Sequence, residues 1–248
     1  MLTSIEELAR HVVGDDRNTV SQCRKLIAWI YAEFEWSSTD YQRRTVEEIL
    51  NRRAGNCAEQ ARLLKSLLQA LGVETRDIAE INIQPPWPER GRRAKRMAEE
   101  RGPAASVFGY QHNDHRWLEV YDGSSGLWFP ADATLGICGH QEWLAARMGF
   151  GPRPESGKDM IVPIMVFVMD AADQVQEDRT DYYLISLFTQ YVEDVVPAGG
   201  LLRDWSRVIR ALAQGGKRAF AGVESFFPYG EQVQHALDVY RAIERQCQ

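Results

Sequence analysis

The spacing of hydrophobic and polar residues changes along the chain. Up to about residue 72, apolar residues recur every three or four positions, as in amphipathic helices. From Val73 the period shortens towards two, which is typical of strands, and helical spacing returns beyond about residue 180. The pattern therefore predicts an α+β protein.

Four helices are predicted in the N-terminal part. Their expected ranges are Ile5–Val13, Asp15 or Asp16 to about Phe34, a short helix ending near Gly55, and Cys57–Leu71. The second carries an apolar stripe at Val20, Cys23, Ile27, Ile30, Tyr31 and Phe34. Thr45 with Glu48 forms the capping box of the third, and Gly72 provides a left-handed end to the fourth. On the fourth helix, the side chains on the same face as Cys57 are Ala61, Leu64, Leu68 and Leu71.

The rest of the chain is predicted to combine strands with further helices. The expected strands are Val73–Ile83, Ala105–Tyr110, His115–Tyr121, Gly126–Ala131 and Ile161–Met169. The expected helices lie at His140–Met148 and near Tyr182–Tyr191, Leu201–Leu212 and Glu231–Arg245. Gly and Pro are frequent in Gly149–Lys158, which favours a boundary there. We therefore expect a core at residues 1–148 and a strand-plus-helix extension at 149–248, packed on the core.

Composition and charge exclude several classes of function. The 248 residues are 44% hydrophobic and 26% charged, as in an ordinary globular protein. The net charge of −6 argues against a general nucleic-acid binder. No apolar run is long enough to cross a bilayer, and the acidic N-terminal stretch lacks the features of a secretion signal. These features predict a cytoplasmic protein with neither a nucleic-acid nor a membrane partner, and they say nothing about its oligomeric state.

The common cofactor and metal motifs are missing. Four scattered cysteines do not make a disulfide framework, and the sequence has no CxxC pair, HExxH motif or acidic calcium loop. The glycine-rich nucleotide motifs and the GxSxG motif are also absent. The sequence therefore predicts no metal ion and no cofactor, which leaves individual cysteine and histidine residues as candidates for chemistry.

Cys57 is the first candidate for chemistry. It lies in the first turn of a predicted helix, directly after Gly55 and Asn56. The unpaired N–H groups at a helix start favour a thiolate, which is the nucleophilic form of cysteine. The alternative is a small buried apolar cysteine at a helix start.

His115 and Asp132 are the candidates that could act with this cysteine. Along the strand, His115 shares a face with Trp117, while Leu118 points to the opposite face. If the following turn has two or four residues, paired positions sum to 249, so that Trp117 faces Asp132. Asp132 then lies diagonally across from His115 at about 7–8 Å between backbones, within reach of a side-chain hydrogen bond. A three-residue turn would put Asp132 on the other face, unless a β-bulge restored the register.

The three segments resemble the signatures of the transglutaminase-like superfamily of thiol enzymes. The matching residues are Gly55-Asn56-Cys57 with Leu71-Gly72-Val73, the strand His115-Arg116-Trp117-Leu118-Glu119-Val120-Tyr121, and Trp128-Phe129-Pro130-Ala131-Asp132-Ala133-Thr134. The resemblance covers roughly residues 40–136. Arg116 and Ala133 depart from the family's usual small residue and proline.

The resemblance implies both a fold and a set of roles. The implied fold is a transglutaminase-like, papain-like core whose nucleophile helix packs on an antiparallel sheet, followed by a mostly helical C-terminal extension. The implied roles are nucleophile for Cys57, general base and acid for His115, and orienting carboxylate for Asp132.

Other residues have two interpretations each. Trp36 is a candidate oxyanion donor beside the backbone N–H of Cys57, and the alternative is a packing residue. Glu59 and Gln60 either point into the cleft or are solvated residues of the first helical turn, and we expect the second. The basic stretch 89–101 is either a lid or anion-binding patch or a solvated insertion.

The sequence leaves three functions open. The first is cysteine-dependent acyl transfer through a thioester acyl-enzyme, from a peptide or carrier-bound acyl substrate to water or an amine. This class includes a peptidase, an amidase and an amide-forming acyltransferase. The second is acetyl transfer like that of arylamine N-acetyltransferases, to whose nucleophile motif Arg53–Gln60 has a faint likeness. The third is an inactive binding module that keeps the scaffold.

Overall fold

The computed structural model describes residues 4–37, 44–83, 100, 112–150, 162–172, 174–197, 199–220 and 230–247. These residues form helices and a sheet with antiparallel strand pairs, which confirms the predicted α+β class. Two compact units are present, Met1–Ile78 with His115–Trp143, and Ala79–Asp114 with Leu144–Gln248. The predicted division near residue 149 stays a prediction. Within the described residues, no helix combines the length and apolar character needed to span a membrane.

The first unit combines helices with the strands that carry the candidate site. Its helices are α1 (Ile5–Val13), α2 (Thr19–Glu33), α3 (Val46–Arg52), α4 (Cys57–Ala70) and α5 (His140–Trp143). Its strands are the short pair β1 (Glu35–Trp36) and β2 (Ala54–Gly55), and β3 (Thr75–Ile83), β4 (His112–Asp122), β5 (Leu127–Asp132) and β6 (Ile137–Cys138). Residues 79–83 of β3 and 112–114 of β4 belong to the second unit. The order of the main strands is β6-β5-β4-β3, and the β4–β5 and β5–β6 pairs are antiparallel.

Side-chain caps determine where the N-terminal helices begin. The range of α1 and the capping box of α3 are confirmed. The predicted start of α2 at Asp15 or Asp16 is wrong, because Asn18 accepts a hydrogen bond from the N–H of Ser21 and so makes Thr19 the first helical residue. Asp16 instead accepts from the Asn18 N–H, just before the helix.

The core of the first unit lies between the helices and one face of the sheet. The fully buried residues of α4 include Leu64 and Leu68, as predicted, and also Leu63 and Leu67, so its buried face is wider than the predicted stripe. The sheet contributes the buried apolar residues Leu118, Val120, Phe129 and Ala131. One predicted core residue of α2 is wrong, since Tyr31 is 61% exposed. The helix that begins at Cys57 therefore packs on the sheet, as expected.

The second unit is built on the strand order β3-β7-β8 and C-terminal helices. It contains β7 (Val162–Met169), β8 (Val175–Asp178), α6 (Phe188–Val192), α7 (Gly200–Phe220) and α8 (Gly230–Cys247), with π-helical turns at Leu144–Met148 and Asp181–Leu187. Its core includes an aromatic cluster of Phe150, Phe188, Trp205 and Tyr240. Buried Arg147 forms an ion pair with buried Glu80. The predicted strand Ala105–Tyr110 lies outside the described residues, and β8 was not predicted.

Candidate active site

Cys57 is the first residue of α4 and is partly buried. The helix starts there because the Asn56 side chain accepts a hydrogen bond from the Glu59 N–H at 3.0 Å. The Glu59 carboxylate in turn accepts from the Asn56 N–H at 3.0 Å, which completes a capping box. The thiol therefore sits at the positive end of the helix, where the first N–H groups have no partner within the helix.

His115 and Asp132 are joined by a short hydrogen bond. Asp132 Oδ2 lies 2.6 Å from His115 Nε2, and the two residues are only 1% and 8% exposed. The observed pairs Leu118–Ala131 and Glu119–Pro130 sum to 249, so the predicted register is confirmed. The intervening turn has four residues, because Asp122 pairs with Leu127.

The Asp132 carboxylate is held from two sides. Its second oxygen, Oδ1, accepts hydrogen bonds from the N–H groups of Thr134 at 2.9 Å and Leu135 at 3.3 Å. These bonds come from the turn that directly follows β5, so the turn holds the carboxylate in place beside the imidazole. A carboxylate only accepts hydrogen bonds, so the facing nitrogen, Nε2, carries the ring proton.

The surroundings of His115 favour the charged imidazolium. Burial alone lowers the pKa of His115, but the charge and hydrogen bond of Asp132 raise it, and so does the interaction with the Cys57 side chain. The net result is a pKa well above the ordinary value of 6.5. Because Nε2 faces Asp132, Nδ1 is the ring nitrogen available to the Cys57 sulfur. The structure thus brings the three predicted residues together, with the imidazole between the thiol and the carboxylate.

Glu59 and Gln60 differ from the expectation. They were predicted to be solvated, yet both are buried, and Glu59 is only 2% exposed. Glu59 forms an ion pair with Arg44 at 2.7 Å as well as the capping bond. The Gln60 side chain donates to the carbonyl of Gly55 at 3.2 Å. The spacing of Asn56 and Glu59 could have indicated the capping bonds, but not the burial, since Glu48 in the capping box of α3 is exposed.

Trp36 lies beside the strand that leads to Cys57. It pairs with Gly55 in the parallel β1–β2 contact, and the next residue, Ser37, donates its N–H to the Gly55 carbonyl at 3.1 Å. Trp36 is 64% exposed, so it is not a core residue. Its backbone is therefore close to β2, the strand that ends two residues before Cys57, while a role as oxyanion donor stays a proposal.

The remaining candidates are placed as follows. Two of the other cysteines, Cys23 and Cys138, are buried free thiols. The basic stretch 89–101 lies outside the described residues, apart from Glu100. Within the described ranges, no group of three or more histidine, cysteine, aspartate or glutamate side chains could hold a metal ion. The expected absence of a metal and a cofactor stays a prediction.

Comparison with known proteins places the chain in a family. The profile of the transglutaminase-like superfamily matches residues 6–133, slightly more than half of the chain. No curated protein matches. Two solved structures are similar at low identity. One is named a "putative cysteine protease" from Cytophaga hutchinsonii, with 20% identity and a TM-score of 0.38. The other is named a "putative protease" from Parabacteroides distasonis, with 14% identity and a TM-score of 0.39.

These two matches cover 65% and 66% of this chain but only 41% and 25% of the two solved chains, so this chain spans less than half the length of either. The family assignment therefore depends on the profile match together with the α+β architecture described above. The chain belongs to the transglutaminase-like superfamily.

Proposed function

We propose that this protein is a cysteine-dependent acyl-transfer enzyme that forms a thioester acyl-enzyme on Cys57. His115 acts as general base and acid. Asp132 orients the imidazole and stabilises its charged form. The observation that carries the proposal is the buried imidazole, which bonds Asp132 at 2.6 Å and interacts with a cysteine at a helix start. A nucleophile, a base and an orienting group in this order form a catalytic triad.

The first half-reaction follows from these positions. The Cys57 thiol proton passes to His115 Nδ1, and the thiolate attacks the carbonyl carbon of an amide or thioester. As the tetrahedral intermediate collapses, the imidazolium returns that proton to the leaving amine or thiol. Asp132 stabilises the imidazolium throughout through its short hydrogen bond to Nε2.

The second half-reaction reverses the proton movements. His115 takes a proton from water or from an amine, which attacks the thioester carbonyl and releases Cys57. Water as acceptor gives a peptidase or amidase, and an amine gives an amide-forming transferase. The acceptor depends on how far the site excludes water.

The oxyanion of each tetrahedral intermediate needs hydrogen-bond donors. The backbone N–H of Cys57 is the first donor, because it lies at the start of α4. We propose the Trp36 indole as the second donor. Its support is the pairing of Trp36 with Gly55, two residues before the nucleophile.

The acyl donors that we propose are peptides and carrier-bound acyl thioesters. The test is intact-mass spectrometry of the protein after incubation with each of these and, for comparison, with acetyl-CoA. Wild-type protein and Cys57→Ala are compared, with and without a primary amine. We expect a mass increase equal to the acyl group on wild-type Cys57 alone, and its loss on adding the preferred acceptor.

Each other outcome points to a different function. An adduct formed only from acetyl-CoA and discharged by an arylamine favours the N-acetyltransferase alternative. If no donor acylates the protein and iodoacetamide does not select Cys57 over the other three cysteines, the chain is an inactive binding module. Turnover that survives in Cys57→Ala would refute the proposal.

A further inference from the structure

We infer that Glu59 and Arg44 form a buried ion pair that positions the Cys57 thiol, an inference that rests on the proposed role of Cys57 as nucleophile. The proposed role does not require either residue to touch the reacting atoms. Both are positioning residues, which act through the backbone and the charge at the start of α4.

The contacts of Glu59 hold the residues on either side of the nucleophile. One carboxylate oxygen accepts from the Asn56 N–H at 3.0 Å, and the Glu59 N–H donates to the Asn56 side chain at 3.0 Å. These two reciprocal hydrogen bonds hold Asn56, the residue before Cys57, to Glu59, two residues after it. The direction in which the Cys57 side chain leaves the backbone is fixed with them.

Arg44 is attached to α4 at two points. Its guanidinium donates to the other Glu59 carboxylate oxygen at 2.7 Å, and its backbone carbonyl accepts from the Arg62 side chain at 2.6 Å. The Arg44 side chain is only 15% exposed, so the pair is largely shielded from water. A second guanidinium, that of Arg52, lies 3.8 Å from the carboxylate.

Because Gly55 has no side chain, the Glu59 side chain can lie against the Gly55 backbone. A Cβ atom at Gly55 would lie 3.0 Å from the Glu59 Cβ and 3.4 Å from its Oε2. Contacts at 3.0 Å are tighter than side chains normally tolerate. The glycine of the Gly55-Asn56-Cys57 segment therefore makes room for the buried pair, which links this motif to the proposed positioning role.

The charge of Arg44 matters because of where Glu59 lies. A buried carboxylate two residues from a thiolate repels it, and the Arg44 guanidinium offsets that charge at short range. A cap that served the helix alone would not need this partner. The capping box of α3 shows the simpler arrangement, in which Glu48 bonds the Thr45 N–H at 2.7 Å from an exposed position.

The test measures the rate constant for alkylation of Cys57 by iodoacetamide at pH 7, by peptide mass spectrometry. The variants are Glu59→Ala, Glu59→Gln, Arg44→Met and the double variant Arg44→Met/Glu59→Gln. The matched control is Glu48→Ala, which removes the same kind of cap from α3. Thermal unfolding of each variant by circular dichroism shows which ones are folded at the assay temperature.

We expect Glu59→Ala and Arg44→Met each to slow alkylation about tenfold, which corresponds to about 1.4 kcal/mol. Glu59→Gln keeps an acceptor for the Asn56 N–H and removes the charge that repels the thiolate, so its rate should stay within about threefold of the wild type. The double variant recovers to the rate of Glu59→Gln, because the carboxylate whose charge Arg44 offsets is no longer present. Glu48→Ala matches the wild type.

Two results would overturn the inference. One is equal slowing by Glu48→Ala and Glu59→Ala, which would mean that any lost cap has this effect. The other is additive loss in the double variant, which would mean that the charges of Glu59 and Arg44 are not coupled at Cys57. Alkylation needs no acyl substrate, so these outcomes are independent of whether acyl transfer occurs. If Glu59→Ala fails to fold, the comparison of Arg44→Met with the double variant decides.

Discussion

Replacing Asp132 with asparagine gives the sharpest test of how the site works. The amide is nearly isosteric with the carboxylate, and its oxygen can still accept from the turn N–H groups of Thr134 and Leu135. The atom that faces His115 Nε2 then becomes an NH₂ group, which donates. Nε2 must accept, so the ring proton moves to Nδ1, the nitrogen that should receive the thiol proton. Asp132→Asn therefore preserves the fold and reverses the tautomer.

The size of the expected loss follows from two contributions. A hydrogen bond to a charged group contributes about 1.5–3 kcal/mol, and that of Asp132 is short and buried. The wrong tautomer adds the free energy needed to move the ring proton from Nδ1 back to Nε2. In serine enzymes with this arrangement, the same change lowers kcat about 10⁴-fold, or about 5.5 kcal/mol at 1.36 kcal/mol per tenfold step. We expect a loss of acylation rate of about 10³–10⁴-fold here.

The assay is single-turnover acylation of Cys57 followed by quenched mass spectrometry across pH. In the wild type, acylation by the thiolate–imidazolium pair should fall as pH rises through the raised pKa of His115. In Asp132→Asn the main cause of that raised pKa is lost, so the falling limb should move to lower pH. A rate within tenfold of the wild type, or an unmoved limb, would refute the assigned role of Asp132.

Three further predictions concern stability and packing. Because the pKa of His115 is raised in the folded state, the stability contributed by its charged form is fully present below pH 6.5 and is lost as pH rises through the higher folded-state value. Urea unfolding of Asp132→Ala should accordingly show a destabilisation that shrinks with rising pH, and a pH-independent loss would contradict this linkage. Leu64→Ala empties a fully buried site and should lower the free energy of unfolding by about 2–5 kcal/mol, whereas a loss below about 1 kcal/mol would mean that α4 is not packed as described. Gly55→Ala should cost about 1–3 kcal/mol through its contact with Glu59, and an unchanged melting temperature would argue against that close approach.

Much of the fold and the arrangement of the site could be predicted from short-range patterns. The capping box of α3 and the left-handed Gly72 after α4 are local features, and both are confirmed. The approach of Asp132 to His115 was also predictable, because a turn with an even number of residues fixes which strand positions face each other. Strand alternation and turn length together carry that information.

What could not be predicted depends on contacts between distant segments. The burial of Glu59 results from Arg44, fifteen residues earlier, and no helical period reveals such a partner. The exposure of Tyr31 shows the opposite limit, because an apolar residue at helical spacing need not face the core. The strand pair of β1 and β2 has two residues in each strand, too few for an alternating pattern.

The central claim is that a thiol, an imidazole and a carboxylate act as one unit, and NMR titration of the His115 ring nitrogens tests it most directly. We predict a titration midpoint above 6.5 in the wild type and a lower midpoint in both Asp132→Asn and Cys57→Ala, since both partners raise the pKa of this ring. A wild-type midpoint at or below 6.5, or the same midpoint in Cys57→Ala as in the wild type, would contradict the account.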